Sequence, residues 1–589
     1  MVALCSALCF RLTKNAVHDF IMFVGHATAE DMVQHFNTGV INSGLNIKNM
    51  VQISMDGPNV NWKFYDMMKV NLSEEFHTTP VNIGSCGIHT VHNSFKAGVV
   101  ASEWSISSLL SSLYYHFKDS PARREDYVKV TGNSQLPLKF VSHRWLENAV
   151  VSERALNIWR NIEAYVEAVQ EKRIPNPGNK SFQVIKEAVD DKLILAKLHF
   201  FKCIASELQP FLANYQTDRP MVCFLATDLS TLLRALMRRF IKDDVLSEAT
   251  TVEKLMVVDV EEKSNHKSYK KNEVGFCTEN ALKDACAKAQ KVGCSISDKQ
   301  LMSFRLQCKS FLIAIMKKLI LKCPLSYSLV RNMVALDPRE MAANPNICRG
   351  KFKRILTVLV NSNKVRDENC DNVLQQYSTF LDRVPIIGSD LFSSFNPNVH
   401  RVDEFFSTHM TGENYAALFD IVKVLLVLSH GQASVERGFS VNKEIEVENL
   451  HGHSLVAQRI ICDHLRAVGG VLNVPVTKKL LAAAASSRQK YEKYLQEERD
   501  KKKTAEEQRK RKHVLDEIEE LKEKKKRMKL DIDSLVKSAD DLSIKAEETG
   551  QLTLVTKSNA LRKAAKDKTL QLQEVEDKLN GKLEALKGC

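Results

Sequence analysis

Long segments whose apolar residues recur at helical spacing dominate the middle of this chain and limit its possible folds. They cover residues 146–172, 180–215 and 299–322. Apolar residues at positions i, i+3, i+4 and i+7 line one face of a helix, so each segment predicts a helix that buries that face. The sequence therefore predicts a large all-helical region over residues 140–400. The apolar run at 417–430 is short and carries charges, which indicates a further buried helix.

Residues 1–139 show a different pattern, in which short apolar and β-branched segments alternate with helical ones. Strands are predicted over 19–25, 50–56 and 79–86, and helices over 29–45, after Pro58 and over 88–104. Pro58 suits a first helical turn because its φ is already helical and no donor is lost there. Alternating strands and helices are typical of an α/β fold.

The tail from residue 484 is highly charged but carries apolar residues in steps of three and four. The first such seam consists of Val514, Ile518, Leu521, Lys525, Met528, Ile532, Leu535, Ala539, Leu542 and Ala546. A second, weaker seam consists of Leu561, Ala565, Lys568, Leu572, Val575, Leu579, Lys582 and Leu586. This spacing predicts coiled-coil helices over 484–589, interrupted at Gly550. They fold back as a hairpin or extend into a partner; a single solvated helix is the alternative.

Composition narrows the class of protein. The 589 residues are 44% hydrophobic, which is enough apolar material for a large core, and no segment has the length and apolarity of a membrane span. The net charge of +13 favours an anionic partner such as nucleic acid. The 14 cysteines have no framework spacing, so we expect reduced thiols in a nuclear or otherwise cytoplasmic protein.

Four short stretches carry residues that are suited to chemistry. Asp56 ends the predicted strand in 51-VQISMDGPNVNW-62, where a carboxylate either holds a divalent metal or caps a turn. Cys86 and His89 in 86-CGIHTVHN-93 are half of a zinc site or ordinary core residues. Two further stretches, 142–148 and 429–440, place aromatic, basic and acidic side chains at the start of the helical region and after its end.

Arg144 and Trp145 in 142-SHRWLEN-148 suit phosphate contact and stacking on an extruded base, or else a Trp packed into a helix junction. Glu436 and Arg437 in 429-SHGQASVERGFS-440 follow an apolar run, where a buried ion pair is the simplest interpretation. The basic runs 509-RKRK-512 and 522-KEKKKRMK-529 favour nuclear import or DNA contact, or form the outer face of the coiled coil.

Taken in order, these stretches resemble the hAT superfamily of DNA transposases and their domesticated relatives over residues 20–470. The matching motifs are MDGPNVN, Cys-x2-His with a following Asn, Arg-Trp at the start of the helical insertion, and Ser-x-Glu-Arg-x-Phe-Ser at 434–440. The residues on which the resemblance rests are Asp56, Cys86, His89, Asn93, Arg144, Trp145, Ser434, Glu436, Arg437, Phe439 and Ser440.

The resemblance implies an RNase H-like α/β core, incomplete at its N-terminus, with a large all-α insertion. It implies a partial core over 1–139, the insertion over 140–400, and the rest of the core with the hAT dimerisation region over 401–480. Asp56 and Glu436 would be two of three catalytic carboxylates that hold Mg²⁺ or Mn²⁺ in an active enzyme. Arg144 and Trp145 would contact DNA.

No first aspartate on an upstream strand accompanies them, because Asp19 precedes its strand. We therefore expect a transposase-derived protein that dimerises and binds DNA, with no catalysis and no cofactor. An active transposase whose N-terminal part is missing from this sequence is one alternative. An interaction scaffold that works through the tail with a coiled-coil partner is the other.

Overall fold

The computed structural model describes residues 3–8, 17–22, 28–42, 44–291, 293–445, 447 and 452–588. For both strands and for Ser434, Arg437 and Phe439, only the backbone belongs to the described part. The chain divides into two compact units, Met1–Gly469 and Gly470–Cys589.

The first unit is built from helices. Those before the long middle region are α1 Ala29–Asn42, α2 Asn59–Phe76, α3 Gly87–Ala101, α4 Ile106–Lys118 and α5 Pro121–Thr131. The middle region contains α6 Asn148–Asn157, α7 Trp159–Gln170, α8 Lys180–Asp190, α9 Ile194–Tyr215, α10 Val222–Arg238, α11 Asp243–Glu248, α12 Val252–Met256, α13 Phe276–Lys291, α14 Asp298–Lys322, α15 Ser328–Asn332, α16 Pro338–Ala343, α17 Pro345–Asn361, α18 Cys370–Asp382, α19 Val384–Ile387 and α20 Ser389–Ser393. The last four are α21 Val402–His409, α22 Ala416–Val427, α23 Ala433–Ile445 and α24 Gly452–Ala467.

The helix predicted after Pro58 is confirmed, and the amphipathic segments are helical, but 146–172 divides into α6 and α7 and 180–215 divides into α8 and α9. The apolar faces of α3 and of the middle-region helices form one continuous core, to which α3, α9, α10 and α14 contribute fully buried side chains. Phe95 of α3 packs edge-on against Phe201 of α9 and Phe311 of α14, with ring centroids 5.0 and 5.5 Å apart. A smaller core joins α1 to α2. Packing between helices therefore forms the core of the long middle region.

One glycine sets the distance between α3 and α14. A Cβ at Gly98 would lie 2.7 Å from Cγ1 of Ile315 and 2.9 Å from the backbone oxygen of Phe311. These separations are shorter than van der Waals contact, so any larger residue would push the two helices apart. The close approach fixes α3, which carries Cys86 at its N-cap and His89 in its first turn.

The predicted α/β RNase H-like core is wrong. In the part of the chain that the structure describes, the strands are β1, Ala3–Leu8, and β2, Val17–Met22, and they pair only with each other, antiparallel. The strand predicted over 19–25 overlaps β2, and residues 23–25 lie outside the described residues. An isolated two-stranded ribbon provides no sheet around which helices can form an α/β core.

The strands predicted over 50–56 and 79–86 are extended segments that lie side by side. Within the described residues they share two backbone hydrogen bonds, from Val81 N to Val51 O at 2.7 Å and from Cys86 N to Met55 O at 3.0 Å. Pro80 has no amide hydrogen to donate, and Gly84 turns the backbone at φ +88°. These two residues interrupt the ladder that a strand needs, although the composition of both segments favours strands.

The second unit is a helical hairpin preceded by a short helix. It contains α25 Lys478–Ala485, α26 Ser487–Thr549 and α27 Leu552–Gly588. Gly550 ends α26 in the left-handed conformation at φ +62°, where a residue without a Cβ is least strained. Ile518 and Ala539 of α26 and Leu572 and Leu579 of α27 are buried between the helices. The hairpin interpretation of the tail is confirmed.

The lysines within the two seams have acidic partners on the opposite helix. Lys525 lies 3.0 Å from Glu576, Lys582 lies 2.6 Å from Glu517, and Lys568 pairs with Asp531. The seam therefore tolerates these lysines because their ammonium groups reach out to carboxylates at its edge.

Two further features bear on the type of protein. No described helix is both long enough and apolar enough to cross a bilayer. The cysteines whose side chains the structure describes are free thiols.

Candidate functional site

Asp56 lies at the end of an extended segment, immediately before α2. Pro58 is the N-cap of that helix and makes no side-chain hydrogen bond to it. The side-chain NH₂ of Asn61 donates to Oδ1 of Asp56. The carboxylate therefore closes the turn onto the first residues of α2. Asn61 is the asparagine that ends the MDGPNVN motif, so the motif already contained the partner of Asp56.

Cys86 and His89 lie at the start of α3. Cys86 is buried at the N-cap, where its amide donates to Met55 O at 3.0 Å and ties α3 to the segment that carries Asp56. A Cβ on Gly431 would lie 3.6 Å from the Cys86 sulfur, so the backbone that precedes α23 passes directly over this thiol. Cys86 is thus a packing point between two of the motifs.

His89 points from α3 towards both carboxylates. Its Nε2 lies 3.6 Å from Oε1 of Glu436. The pKa of His89 is raised to about 8, first by the Cys86 side chain beside it and then by the negative charges of Glu436 and Asp56, against the opposing effect of burial. At neutral pH the imidazole is therefore largely protonated and forms an ion pair with Glu436.

Arg144 bridges two carboxylates. Its Nη2 donates to Oε2 of Glu436 at 2.7 Å, and its Nη1 donates to Oε1 of Glu147 at 3.1 Å. Glu147 belongs to a short turn, Trp145–Glu147, that leads into α6. Glu436 thus accepts from a guanidinium on one side and faces an imidazolium on the other, an arrangement that holds three separate chain segments together.

His92 positions that turn. It is buried one turn beyond His89, and its Nδ1 accepts from Leu146 N at 3.3 Å. Burial, followed by the positive charges of His89, Arg144 and His143, lowers the pKa of His92 to about 4. The imidazole is therefore neutral at physiological pH, as a ring nitrogen that accepts a hydrogen bond must be.

Trp145 is packed into the core beside this cluster and is only 9% exposed. Its ring lies edge-on to Phe140, with centroids 5.3 Å apart, and Nζ of Lys96 lies 5.7 Å from its centroid. This burial favours a tryptophan at a helix junction. Stacking on a base remains a prediction, and it would require the indole to leave this position.

The Gln52 side chain joins the loop that leads into α23 to the segment that carries Asp56. Its amide hydrogen-bonds to the loop as a backbone peptide group would. The Gln52 amide donates to Ser429 O at 3.2 Å and accepts from Ser429 N at 2.7 Å. Glu436 then lies within the first turn of α23 and is partly buried. Gln52 therefore joins the segment that carries Asp56 to the loop that leads to Glu436, although nothing in its sequence context indicated such a role.

The structure thus brings together Asp56, Cys86, His89, Arg144 and Glu436, which we call the motif cluster. Asn93 and Ser440 are exposed, and Ser440 Oγ donates to Glu436 O at 3.2 Å. The side chains of Ser434, Arg437 and Phe439 lie outside the described residues. Sequence reasoning assigned no role to His92 or Glu147, although both lie within the quoted stretches.

The motif cluster is a poor match for Mg²⁺ or Mn²⁺. Such ions need several unencumbered oxygen ligands in near-octahedral geometry. Here Glu436 is engaged by Arg144 and faces His89, while Asp56 accepts from Asn61. Among the described residues, no group of three or more His, Cys, Asp and Glu side chains is placed to hold a metal ion. Cations already neutralise the position that a metal would take.

Comparison of the chain with known protein families finds no family that matches it, and comparison with curated proteins finds no relative.

Proposed function

We propose that this chain is a transposase-derived protein that binds DNA and associates with itself but does not cut DNA. The observation that carries the proposal is the motif cluster. Arg144 and Glu436 are 292 residues apart in sequence and form a 2.7 Å ion pair. Four stretches that resemble hAT motifs in their order along the chain also meet in space, which is unexpected for four chance matches.

The absence of cleavage is inferred from how the carboxylates are used. A nuclease of this type needs carboxylates that are free to clamp a metal and activate water or a 3′-hydroxyl. Arg144 and protonated His89 instead oppose Glu436, and they would repel a divalent cation. The cluster then serves as an ionic joint between α3, α23 and the turn before α6. These ionic contacts can therefore keep the three segments together in a protein that has lost catalysis.

Binding to DNA is supported by the net charge of +13. Contacts of lysine and arginine with phosphates release counterions, so affinity for duplex DNA should fall steeply with salt. A protein that makes about six phosphate contacts would lose about 10³-fold in affinity between about 50 and about 200 mM salt.

Self-association is supported by an exposed apolar face on α24, shortly after the Ser-x-Glu-Arg-x-Phe-Ser motif. Ile460 and Ile461 are 63% and 58% exposed, and Val456 lies one turn earlier on the same face and is also exposed. Neighbouring β-branched side chains in water are typical of interaction surfaces. We infer that a second copy of the chain covers this face.

A nuclear location is supported by the two basic runs of α26. Their side chains are exposed except for Lys525 and Met528, which are half-buried. Such runs are accessible both to an import receptor and to phosphates.

Three measurements on the purified full-length chain test the proposal. Fluorescence anisotropy with a labelled duplex should detect binding that weakens with salt. Incubation of supercoiled plasmid with Mg²⁺ or Mn²⁺ should leave it intact; nicking that Asp56→Ala abolishes would instead establish an active transposase. Sedimentation should detect a dimer that Ile460→Glu with Ile461→Glu dissociates.

A matched control for the dimer test is Leu321→Glu with Ile347→Glu, which changes two exposed apolar residues on α14 and α17. A monomeric wild-type chain, or dissociation by both double variants alike, would contradict a dimer through α24. Absence of duplex binding even at low salt would contradict the DNA-binding part and favour the interaction scaffold.

A further inference from the structure

The turn between α7 and α8 borders an open cavity of about 950 Å³, and none of its lining residues belongs to the motifs discussed above. Its lining comes from thirteen residues between Val169 and Lys186, and Glu171 is not one of them. Cavities of this size are typical of sites that bind small molecules or single groups of a larger ligand. Its lining shares no residue with the motif cluster.

The lining of this cavity is basic. Lys172, Arg173, Lys180 and Lys186 all contribute to it, and no acidic residue does. Arg173 pairs with Glu171 at 2.6 Å, so one of the four charges is already neutralised. For the three lysines the described residues include no ion-pair partner. Three positive charges thus line one open cavity without a counter-charge from the described residues, and all three would attract an anion that entered it.

The floor of the cavity is rigid. Ile174 and Phe182 are buried, and the Phe182 ring packs against His116 and Tyr165 at centroid distances of 5.8 and 6.4 Å. The Asn179 side chain caps α8 by accepting from Phe182 N at 2.8 Å. A fixed floor keeps the bases of the lysine side chains in place, so less ordering is needed when an anion binds.

Polar donors supplement the lysines. Oδ1 of Asn176 accepts from Gly178 N at 3.0 Å, which leaves its side-chain NH₂ group as a donor at the cavity edge. The first amides of α8 have no intrahelical acceptor and contribute the positive end of the helix dipole. They add to a site that the lysines and the cavity already define.

We propose that this cavity binds phosphate groups and that the phosphates are those of a nucleic-acid backbone. Lysine ammonium groups surround a tetrahedral anion as point charges, and a carboxylate would satisfy only part of such a set. The proposal rests on the DNA-binding function proposed above and assigns it a surface. A free phosphate compound offers the same chemistry and is distinguished by experiment.

The test compares two charge-matched triple variants of the full-length chain. The cavity variant carries Lys172→Gln, Lys180→Gln and Lys186→Gln. The control carries Lys283→Gln, Lys288→Gln and Lys291→Gln, three exposed lysines on α13. Glutamine keeps most of the aliphatic part of the lysine side chain. Residue 172 has a φ of +60°, a conformation that glycine adopts without strain, so glutamine removes the charge without also changing the backbone preference there. Circular dichroism first establishes that both variants fold.

Binding of a labelled duplex is then measured by anisotropy over a range of salt concentrations. The cavity variant should bind at least about tenfold more weakly than the control. Its plot of log affinity against log salt should be shallower by roughly two to three, because each lost phosphate contact removes about 0.9 from the slope. Equal affinities and equal slopes in the two variants would overturn the nucleic-acid assignment.

Calorimetric titration with inorganic phosphate, with chloride at matched ionic strength as the blank, separates the remaining outcomes. Phosphate binding to the wild type that only the cavity variant loses supports the cavity as a phosphate site. If duplex binding is absent while this signal is present, the proposed DNA-binding function fails and the ligand is a free phosphate compound. If the cavity variant loses neither duplex nor phosphate binding, the site itself is refuted.

Discussion

The motif cluster of the first unit and the helical hairpin of the second are both held by charged and apolar contacts, but over very different sequence separations. In the hairpin, Lys525 and Glu576 are 51 residues apart and belong to adjacent helices. In the cluster, Arg144 and Glu436 are 292 residues apart and depend on every helix between them. A contact between adjacent elements is encoded locally, whereas a distant one exists only if the whole core folds.

The largest expected effect is on the hairpin seam. Leu572→Asp places a charge at a position that is 9% exposed, whereas Leu570→Asp changes a neighbour on the same helix that is 65% exposed. We expect the first to destabilise the hairpin by about 3 kcal/mol and the second to have little effect. Hydrogen exchange of residues 552–588 measures both. Equal exchange in the two variants would show that the seam does not hold the hairpin.

The next effect tests how the cluster depends on distant packing. Gly98→Ala forces a Cβ against α14 and should cost about 1–3 kcal/mol. Gly350→Ala, in the exposed middle of α17, meets nothing within 4 Å and should stabilise the chain by about 0.5–1 kcal/mol. Thermal unfolding compares the two variants. A neutral Gly98→Ala would mean that α3 and α14 can separate without loss.

Within the cluster, Glu436→Gln removes the charge that Arg144 and His89 share. Arg144 keeps Glu147 as a partner, and both cationic groups are partly solvated, so we expect a loss of only about 1 kcal/mol. Ser440→Ala, on the exposed side of α23, is the control. NMR titration should show the pKa of His89 falling towards its ordinary value in the glutamine variant. An unchanged pKa of His89 would show that Glu436 does not influence the protonation of His89.

The pH dependence of stability should reveal His89 itself. Its pKa in the folded chain, about 8, lies above the ordinary value of 6.5, so the stabilisation it provides is complete below pH 6.5 and is lost as pH rises through 8. The stability difference between wild type and His89→Gln should therefore be largest near pH 6 and vanish above pH 8. His92, with its pKa lowered to about 4 by burial and then by the charges of His89, Arg144 and His143, acts in the opposite direction. The comparison is therefore read between pH 6.5 and 8, where His92 is neutral in the folded chain and largely neutral in the unfolded chain.

The smallest effect is expected at the seam lysines. Lys525→Glu should weaken the hairpin slightly, and adding Glu576→Lys should restore it, because the exchanged charges face each other again. The coupling should disappear at high salt, since exposed pairs are screened. A double-mutant cycle followed by hydrogen exchange measures it. Coupling that persists in high salt would indicate that solvent ions reach Lys525 and Glu576 less than their exposed fractions suggest.

Much of the helical architecture follows from local pattern. Apolar residues at helical spacing predicted the helices of the middle region, Pro58 marked the start of α2, and Gly550 marked the end of α26. These features depend on neighbours within a few residues. The coiled-coil seam could be predicted for the same reason, because its spacing involves only nearby residues. The lysines within it did not prevent this, and their acidic partners lie on the next helix.

The α/β prediction failed because a strand depends on a partner as well as on its own composition. The segments 50–56 and 79–86 have strand-like residues and an extended backbone, yet Pro80 and the turn at Gly84 limit their pairing. The sequence showed both residues, but not that no other described segment would supply the missing hydrogen bonds. Short apolar runs are ambiguous for this reason.

The sequence alone therefore determined most of the helices, the break at Gly550 and the residues that carry the hAT resemblance, since each depends on short-range spacing. Only the tertiary structure decided that Asp56, His89, Arg144 and Glu436 meet, that Glu436 faces two cations, and that three unpaired lysines share one cavity. Those relations depend on where a folded core places side chains from distant segments. Charge and burial at a given atom arise only from that placement.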